Sequence, residues 1–194
     1  MKNNELLQKY CSNILKWNKA YNLISASQSE SDIWERHITD SLQLYEFISG
    51  DNGLVIDLGS GAGFPSIPCA ILASENNKNL KFLMIESVSK KALFLEDTIR
   101  LLELKNIEAK CDRIENLKNI KANIITARAF SKIDEIFDIT KNYMQENTRY
   151  ILLKGRNVQQ EIDQALERYI FDYQLVNSKT GDGFIFIAEN VKNK

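Results

Sequence analysis

Leu54-Val55-Ile56-Asp57-Leu58-Gly59-Ser60-Gly61-Ala62-Gly63-Phe64-Pro65 is the stretch on which the fold turns. Its first half is a short, nearly continuous apolar run, the pattern of a strand buried on both faces of a parallel sheet. Its second half is a tight turn in which glycine recurs at every other position. Glycine allows the backbone to approach a ligand and to enter conformations closed to other residues. Residues 65–74 then read as a helix, because Pro65 and Pro68 are tolerated only in a first turn. Strand, glycine turn and helix together predict a ligand site at the carboxyl end of the first strand of a doubly wound sheet. The spacing is G-x-G-x-G, whereas a dinucleotide fingerprint is G-x-G-x-x-G. The plain alternative is a tight connection that holds nothing.

Downstream, the pattern repeats as strand and helix in alternation. Strands are expected at 81–86, 107–111, 124–127 and 150–153. Helices are expected at 87–104, from Ile133 to Met144, and from Val158 to Tyr169. The chain closes with strands at 173–178 and 183–188. They are joined by Thr180-Gly181-Asp182-Gly183, a hairpin turn, and add an antiparallel strand expected at the sheet edge. The fold class is therefore α/β, Rossmann-like, with a seven-stranded, mostly parallel sheet and a terminal antiparallel strand. Upstream, Leu6, Leu7, Tyr10, Cys11, Ile14 and Leu15 recur at helical spacing, and a second helix is expected within 29–47. Gly50-Asp51-Asn52-Gly53 is a turn cluster. It divides the chain into an N-terminal helical extension, 1–50, and a main domain, 51–194.

Composition narrows the function. The chain has 194 residues, a net charge of −1 and one histidine. Near-neutral charge excludes a protein that coats nucleic acid through bulk electrostatics, but not an enzyme with one local basic patch. Cys11, Cys69 and Cys111 are widely spaced and form neither a disulfide framework nor a metal-ligand set, so no metal is expected. The start of the chain leads into an amphipathic stretch, and no apolar run is long enough for a bilayer. The expectation is a cytoplasmic protein with no membrane partner, acting as a monomer.

Residues beyond the turn carry further chemistry. Glu86 ends the second strand, where an acid can accept hydrogen bonds from both ribose hydroxyls of a nucleoside; alone, it is equally a solvated carboxylate. Asp112-Arg113-Ile114-Glu115 follows the third strand and by itself reads as helix capping. Thr126-Ala127-Arg128-Ala129-Phe130 follows the fourth. The region offers no cysteine nucleophile, and Pro68-Cys69 reads as core. Arg128 could bind a carboxylate or a phosphate, or form a structural ion pair. His37 and Asp40, spaced i, i+3, could lock helices together.

Several blocks in one order then resemble a known family. Trp17-Asn18-Lys19-Ala20-Tyr21-Asn22-Leu23 and Arg36-His37-Ile38-Thr39-Asp40-Ser41-Leu42 look like the N-terminal signature of the bacterial RsmG (GidB) family. Asp57 to Pro65, Lys90-Lys91 with Phe94-Leu95, Arg128-Ala129 and Leu153-Lys154-Gly155 continue the likeness over nearly the whole chain. Ser66 departs from it, since the family usually has glycine there. The resemblance implies a class I S-adenosylmethionine-dependent methyltransferase acting on N7 of a guanine in 16S ribosomal RNA, free or in the small subunit. It implies cofactor contacts at Gly59, Phe64, Ile114, Glu115 and Arg128, to which the general fold adds Gly61, Gly63 and Glu86. Arg128 and His37 are positioning candidates. Lys19, Arg36, His37, Lys90, Lys91, Lys154 and Arg156 are candidates for touching RNA. Three other readings stay open. A nicotinamide oxidoreductase is disfavoured by the glycine spacing, a catalytically silent RNA-binding module by the intact glycines and Glu86, and a small-molecule methyltransferase by the Trp17 and His37 blocks.

Overall fold

The computed structural model describes residues 2–48, 50–118 and 120–194. The chain opens with α1 (Lys2–Asn18), then α2 (Glu30–Ile33), a π-helical turn (Trp34–Ile38) and α3 (Thr39–Tyr45). There follow β1 (Asn52–Leu58), α4 (Ser66–Glu75), β2 (Asn79–Glu86), α5 (Ser89–Leu101) and β3 (Ile107–Cys111). A single 3-10 turn (Ile114–Asn116) leads to β4 (Ile124–Arg128), α6 (Ile133–Thr140), β5 (Arg149–Lys154), α7 (Val158–Arg168), β6 (Tyr169–Asn177) and β7 (Phe184–Asn193).

The seven strands form one sheet in the order β3-β2-β1-β4-β5-β7-β6. The first five run parallel, and β7 runs antiparallel to both of its neighbours. The order reverses between β1 and β4, which opens the crevice where ligands enter such sheets.

Strand periodicity explains how this sheet is covered. Val55 of β1 and Leu80, Phe82 and Met84 of β2 face an apolar layer with Tyr10, Ile14, Ile67 and Phe94. Ile56 and Leu58 of β1 and Leu83 and Ile85 of β2 face the opposite layer, with Phe137, Tyr150, Ile162 and Phe186. Alternate side chains point to opposite faces, so a strand buried on both sides must be apolar throughout, as 54–58 is. Helix α1 belongs to the first layer: Leu7, Tyr10, Cys11 and Ile14 are buried there.

Four local expectations are revised. The antiparallel strand β7 is inserted between β5 and β6, so β6 forms the edge. Tyr169, expected to end a helix, starts β6. Its ring sits 5.2 Å from that of Phe137, and its hydroxyl donates to Asp138 Oδ1 at 2.6 Å, contacts that helical periodicity could not reveal. Helix α5 is shorter at both ends than the stretch 87–104. The helix expected within 29–47 carries the π-helical turn, in which Thr39 N–H reaches back to Trp34 O. Such insertions frequently mark functional sites.

Candidate functional site

The glycine turn is built as its sequence requires. Gly59, Gly61 and Gly63 have φ of +64°, +55° and +91°, all in the region where a side chain is strained. They are not equivalent. A Cβ at Gly63 would lie 2.4 Å from Ile67 Cδ1 and 3.1 Å from the Tyr10 hydroxyl, so this glycine serves close packing. A Cβ at Gly61 would meet nothing nearer than Gly59 O at 3.8 Å, so this side of the turn is open. At Gly59 the obstacle is Phe130, 2.5 Å away, which lies over the turn.

Three bonds stitch the turn to its surroundings. Ser60 N–H donates to Ile85 O at 3.1 Å. Gly61 N–H donates to Glu86 Oε2 at 2.9 Å, while Val88 N–H donates to Glu86 Oε1 at 2.8 Å. Tyr10 of α1 donates its hydroxyl to Ala62 O at 2.6 Å. Glu86 is thereby fixed and nearly buried. Each of its oxygens keeps acceptor capacity after one backbone bond, so the pair can still receive two hydroxyls. An open glycine face beside an oriented carboxylate fits the nucleoside and amino-acid halves of S-adenosylmethionine.

Asp57, under the turn, is fully buried. Thr126 Oγ1 donates to its Oδ1 at 3.1 Å, while Oδ2 has no hydrogen-bond partner among the described residues. Burial pushes its carboxyl up to about 7. Next to the 3-10 turn, Asp112 accepts from Arg113 N–H and from Asn116 Nδ2, both at 2.8 Å. The capping-box alternative therefore does not form here. Ile114 is buried, its carbonyl held by the Tyr143 hydroxyl, and Glu115 is exposed.

The N-terminal signature converges on Phe64. The His37 ring stacks on Phe64 at 4.9 Å, Tyr10 lies 5.3 Å from it, and the Arg128 guanidinium sits over it at 5.9 Å. His37 Nε2–H donates to Gln28 Oε1 at 2.9 Å, and Nδ1 is buried without a partner among the described residues. Burial, reinforced by Arg128, pushes the imidazole down to about 4, so it is neutral at physiological pH and is no phosphate-binding cation there. It makes no hydrogen bond with Asp40. That carboxylate instead accepts from Ser178 Oγ at 2.7 Å, Thr180 Oγ1 at 3.0 Å and Gln43 Nε2, all on Oδ1. Arg128 Nη2 donates to Arg36 O at 2.8 Å and lies 3.7 Å from Asp40 Oδ2. Trp17 docks on α5, donating to Asp97 Oδ2 at 3.2 Å, and Asn18 Oδ1 caps the following loop through Leu23 and Ile24 N–H.

A cavity of about 650 Å³ opens beside the turn, past Phe130, at the carboxyl ends of β4 and β5. Ala129, with φ of +50°, bends the chain between Arg128 and Phe130, an uncommon conformation for a residue with a side chain and one that clusters at functional sites. Of the proposed RNA contacts, Lys19, Arg36 and Lys90 are exposed, with Lys90 over the Tyr21 ring at 5.4 Å, and Lys91 is half-buried. Arg156 is exposed but paired with Asp182. Lys154 is placed differently: its side chain is 7% exposed and its ammonium is bound to Glu161 Oε2 at 2.7 Å and to Ser131 O. Its charge is spent inside the protein. Tyr10, Asp40 with its hairpin partners, and Phe130 are the site-building residues to which sequence reasoning assigned no such role. Helical spacing marked Tyr10 only as core.

Solved structures share this architecture. A ribosomal protein L11 methylase from Lactobacillus delbrueckii subsp. bulgaricus superimposes with a TM-score of 0.61 at 15% identity, over 80% of this chain and 77% of that one. A SAM-dependent methyltransferase from Aquifex aeolicus does so with a TM-score of 0.60 at 17% identity, over 81% and 92%. The fold is that of the class I S-adenosylmethionine-dependent methyltransferases. The family model of GidB, rRNA small subunit methyltransferase G, matches residues 3–182. Ribosomal RNA small subunit methyltransferase G of Orientia tsutsugamushi (strain Ikeda) is 42% identical over 90% of this chain and 84% of its own length. That of Rickettsia prowazekii (strain Madrid E) is 38% identical over 96% and 94%. The chain belongs to the GidB family.

Proposed function

We propose that this protein transfers a methyl group from S-adenosylmethionine to N7 of a guanine in 16S ribosomal RNA. The observation that carries the reading is the glycine turn with its open face at Gly61, tied by that residue's own N–H to the Glu86 carboxylate. Glu86 would hold the ribose hydroxyls, the turn would hold the methionine half, and Ile114 and Glu115 would flank the adenine. Arg128, with a buried Nη1 lacking a partner among the described residues, has a donor left for the cofactor carboxylate.

When bound, S-adenosylmethionine supplies an electrophilic methyl group. Guanine N7 has an in-plane lone pair and attacks without losing a proton first. The chain therefore needs neither a general base nor a covalent nucleophile, and its task is alignment and exclusion of water, worth up to roughly 7–11 kcal/mol. The residues near Phe64 suit that task. His37 is a neutral packing element, and Arg128 is held in place by Arg36 O and Asp40.

Residues 1–50 are proposed as a helical extension of a 51–194 catalytic domain, whose turn they brace through Tyr10. The protein is proposed to act as a cytoplasmic monomer on the small subunit or its RNA. No described helix is long and apolar enough to cross a membrane, and no metal-holding cluster occurs among the described residues. The test is mass-spectrometric mapping of methylated guanines in rRNA from cells lacking the protein, with methyl transfer by the purified chain alongside. One N7-methylguanosine should vanish and be restored in vitro. An unchanged map and no transfer would refute the proposal.

A further inference from the structure

Guanine and adenine both present N7 with the same lone pair. A methyltransferase that acts on guanine alone must therefore read the purine elsewhere. The opposite edge separates the two bases: guanine offers N1–H and a 2-amino group, both donors, whereas adenine offers an acceptor at N1 and no amino group at C2. A reader of that edge must accept hydrogen bonds, must not be free to donate, and must be held still. A carboxylate anchored through one oxygen satisfies all three.

Three carboxylates line the cavity at the ends of β4 and β5: Asp40, Glu135 and Glu161. Glu135 is engaged by Ser131 and the start of α6, and Glu161 is paired with Lys154. Asp40 is different. Its Oδ1 receives Ser178, Thr180 and Gln43, which come from the β6–β7 turn and from its own helix. Among the described residues its Oδ2 faces Arg128 alone, at 3.7 Å, beyond hydrogen-bond distance, and that cation supports its charge. Phe130 lines the same cavity, is partly exposed, and is braced from behind by the turn at Gly59. An aromatic ring beside an oriented acceptor is what a base drawn out of its stack requires.

We infer that this cavity receives the acceptor guanine, with Phe130 stacking on the ring and Asp40 Oδ2 accepting from its N1–H and 2-amino edge. The inference rests on the function proposed above. It makes Asp40 a specificity residue that touches substrate, whereas its Oδ1 contacts only orient it.

The test uses the full chain and an RNA substrate carrying guanine, inosine or adenine at the methylated position. Inosine keeps N7 and N1–H but lacks the 2-amino group. The wild-type chain should prefer guanine over inosine by about tenfold or more in kcat/KM, and over adenine by more still. Asp40→Asn keeps an oxygen for the hairpin hydroxyls and places a donor where Oδ2 was. It should methylate guanine more slowly and bring the guanine-to-inosine ratio close to one. A purely structural role would lower all three rates together and leave the ratio intact, and that result overturns the inference. If the variant does not fold, the wild-type ratio decides alone, since equal rates on guanine and inosine also overturn it. Absence of any N7 methylation by the wild-type chain refutes the parent function and this inference together, whereas activity with an unchanged ratio refutes this inference only.

Discussion

Two ends of one crevice are built by different means. At β1 and β2 the site is made of backbone: three glycines with positive φ, and N–H groups of residues 60, 61 and 88 tied to Ile85 O and Glu86. At β4 and β5 it is made of side chains from segments far apart in the chain, with Arg36 and Asp40, Arg128 and Phe130, Lys154 and Glu161, and Ser178 and Thr180 meeting around one cavity. The first end suits a ligand recognised through main-chain groups, which side-chain substitution leaves in place. The second can be retuned one side chain at a time, as a specificity pocket demands.

The sharpest way to break this contrast is at the backbone end. Gly63→Ala combines a positive φ with a Cβ 2.4 Å from Ile67, and should cost about 4 kcal/mol from strain and overpacking together. Gly61→Ala meets open space and should cost about 1 kcal/mol. Chemical denaturation of both variants checks this, and equal losses would mean that the two glycines do the same job.

Asp57 gives the next largest effect, and its sign is opposite. Its folded value of about 7 exceeds the unfolded value near 3.9, so the folded chain retains a proton that the unfolded chain releases. Stability contributed through this group therefore falls as pH rises from about 4 to about 7. Asp57→Asn should stabilise the fold at pH 8, by up to about 4 kcal/mol, and bring little gain at pH 4, which melting temperatures at the two pH values would show. A gain that does not depend on pH would place the effect elsewhere.

Lys154→Ala sharpens the comparison at the cavity end. Loss of a nearly buried ammonium leaves Glu161 unpaired and should destabilise the fold by about 2 kcal/mol, leaving the salt dependence of RNA binding unaltered. Lys90→Ala should do the reverse. Its stability should change by less than about 0.5 kcal/mol, while RNA affinity falls several-fold and the salt slope drops by about one phosphate contact. Denaturation combined with RNA titration at several salt concentrations separates the two, and matching behaviour would dissolve the distinction between inner and outer cations.

The same contrast explains what could be read before any coordinates. The backbone end was legible because local patterns encode it: an apolar pentapeptide at 54–58, alternating glycines, and an acid at the end of the next strand. Alternation of strands and helices likewise announced the sheet. The cavity end was not legible, because nothing near Asp40 in the sequence points to Ser178 or Thr180. The spacing of His37 and Asp40 suggested a partnership, yet each turns to a different neighbour. Lys154 looked like a surface cation because charge patterns do not reveal burial. Tyr10 sat among apolar helical positions, where its hydroxyl gave no signal of the carbonyl it would find at Ala62.

That last contact bears on how the protein can be handled. Removing the first helix to obtain a smaller catalytic fragment would delete the hydroxyl that holds Ala62 and uncover Phe64 and Ile67 beneath it. The trimmed protein would retain every glycine and Glu86, yet grip the methyl donor less well.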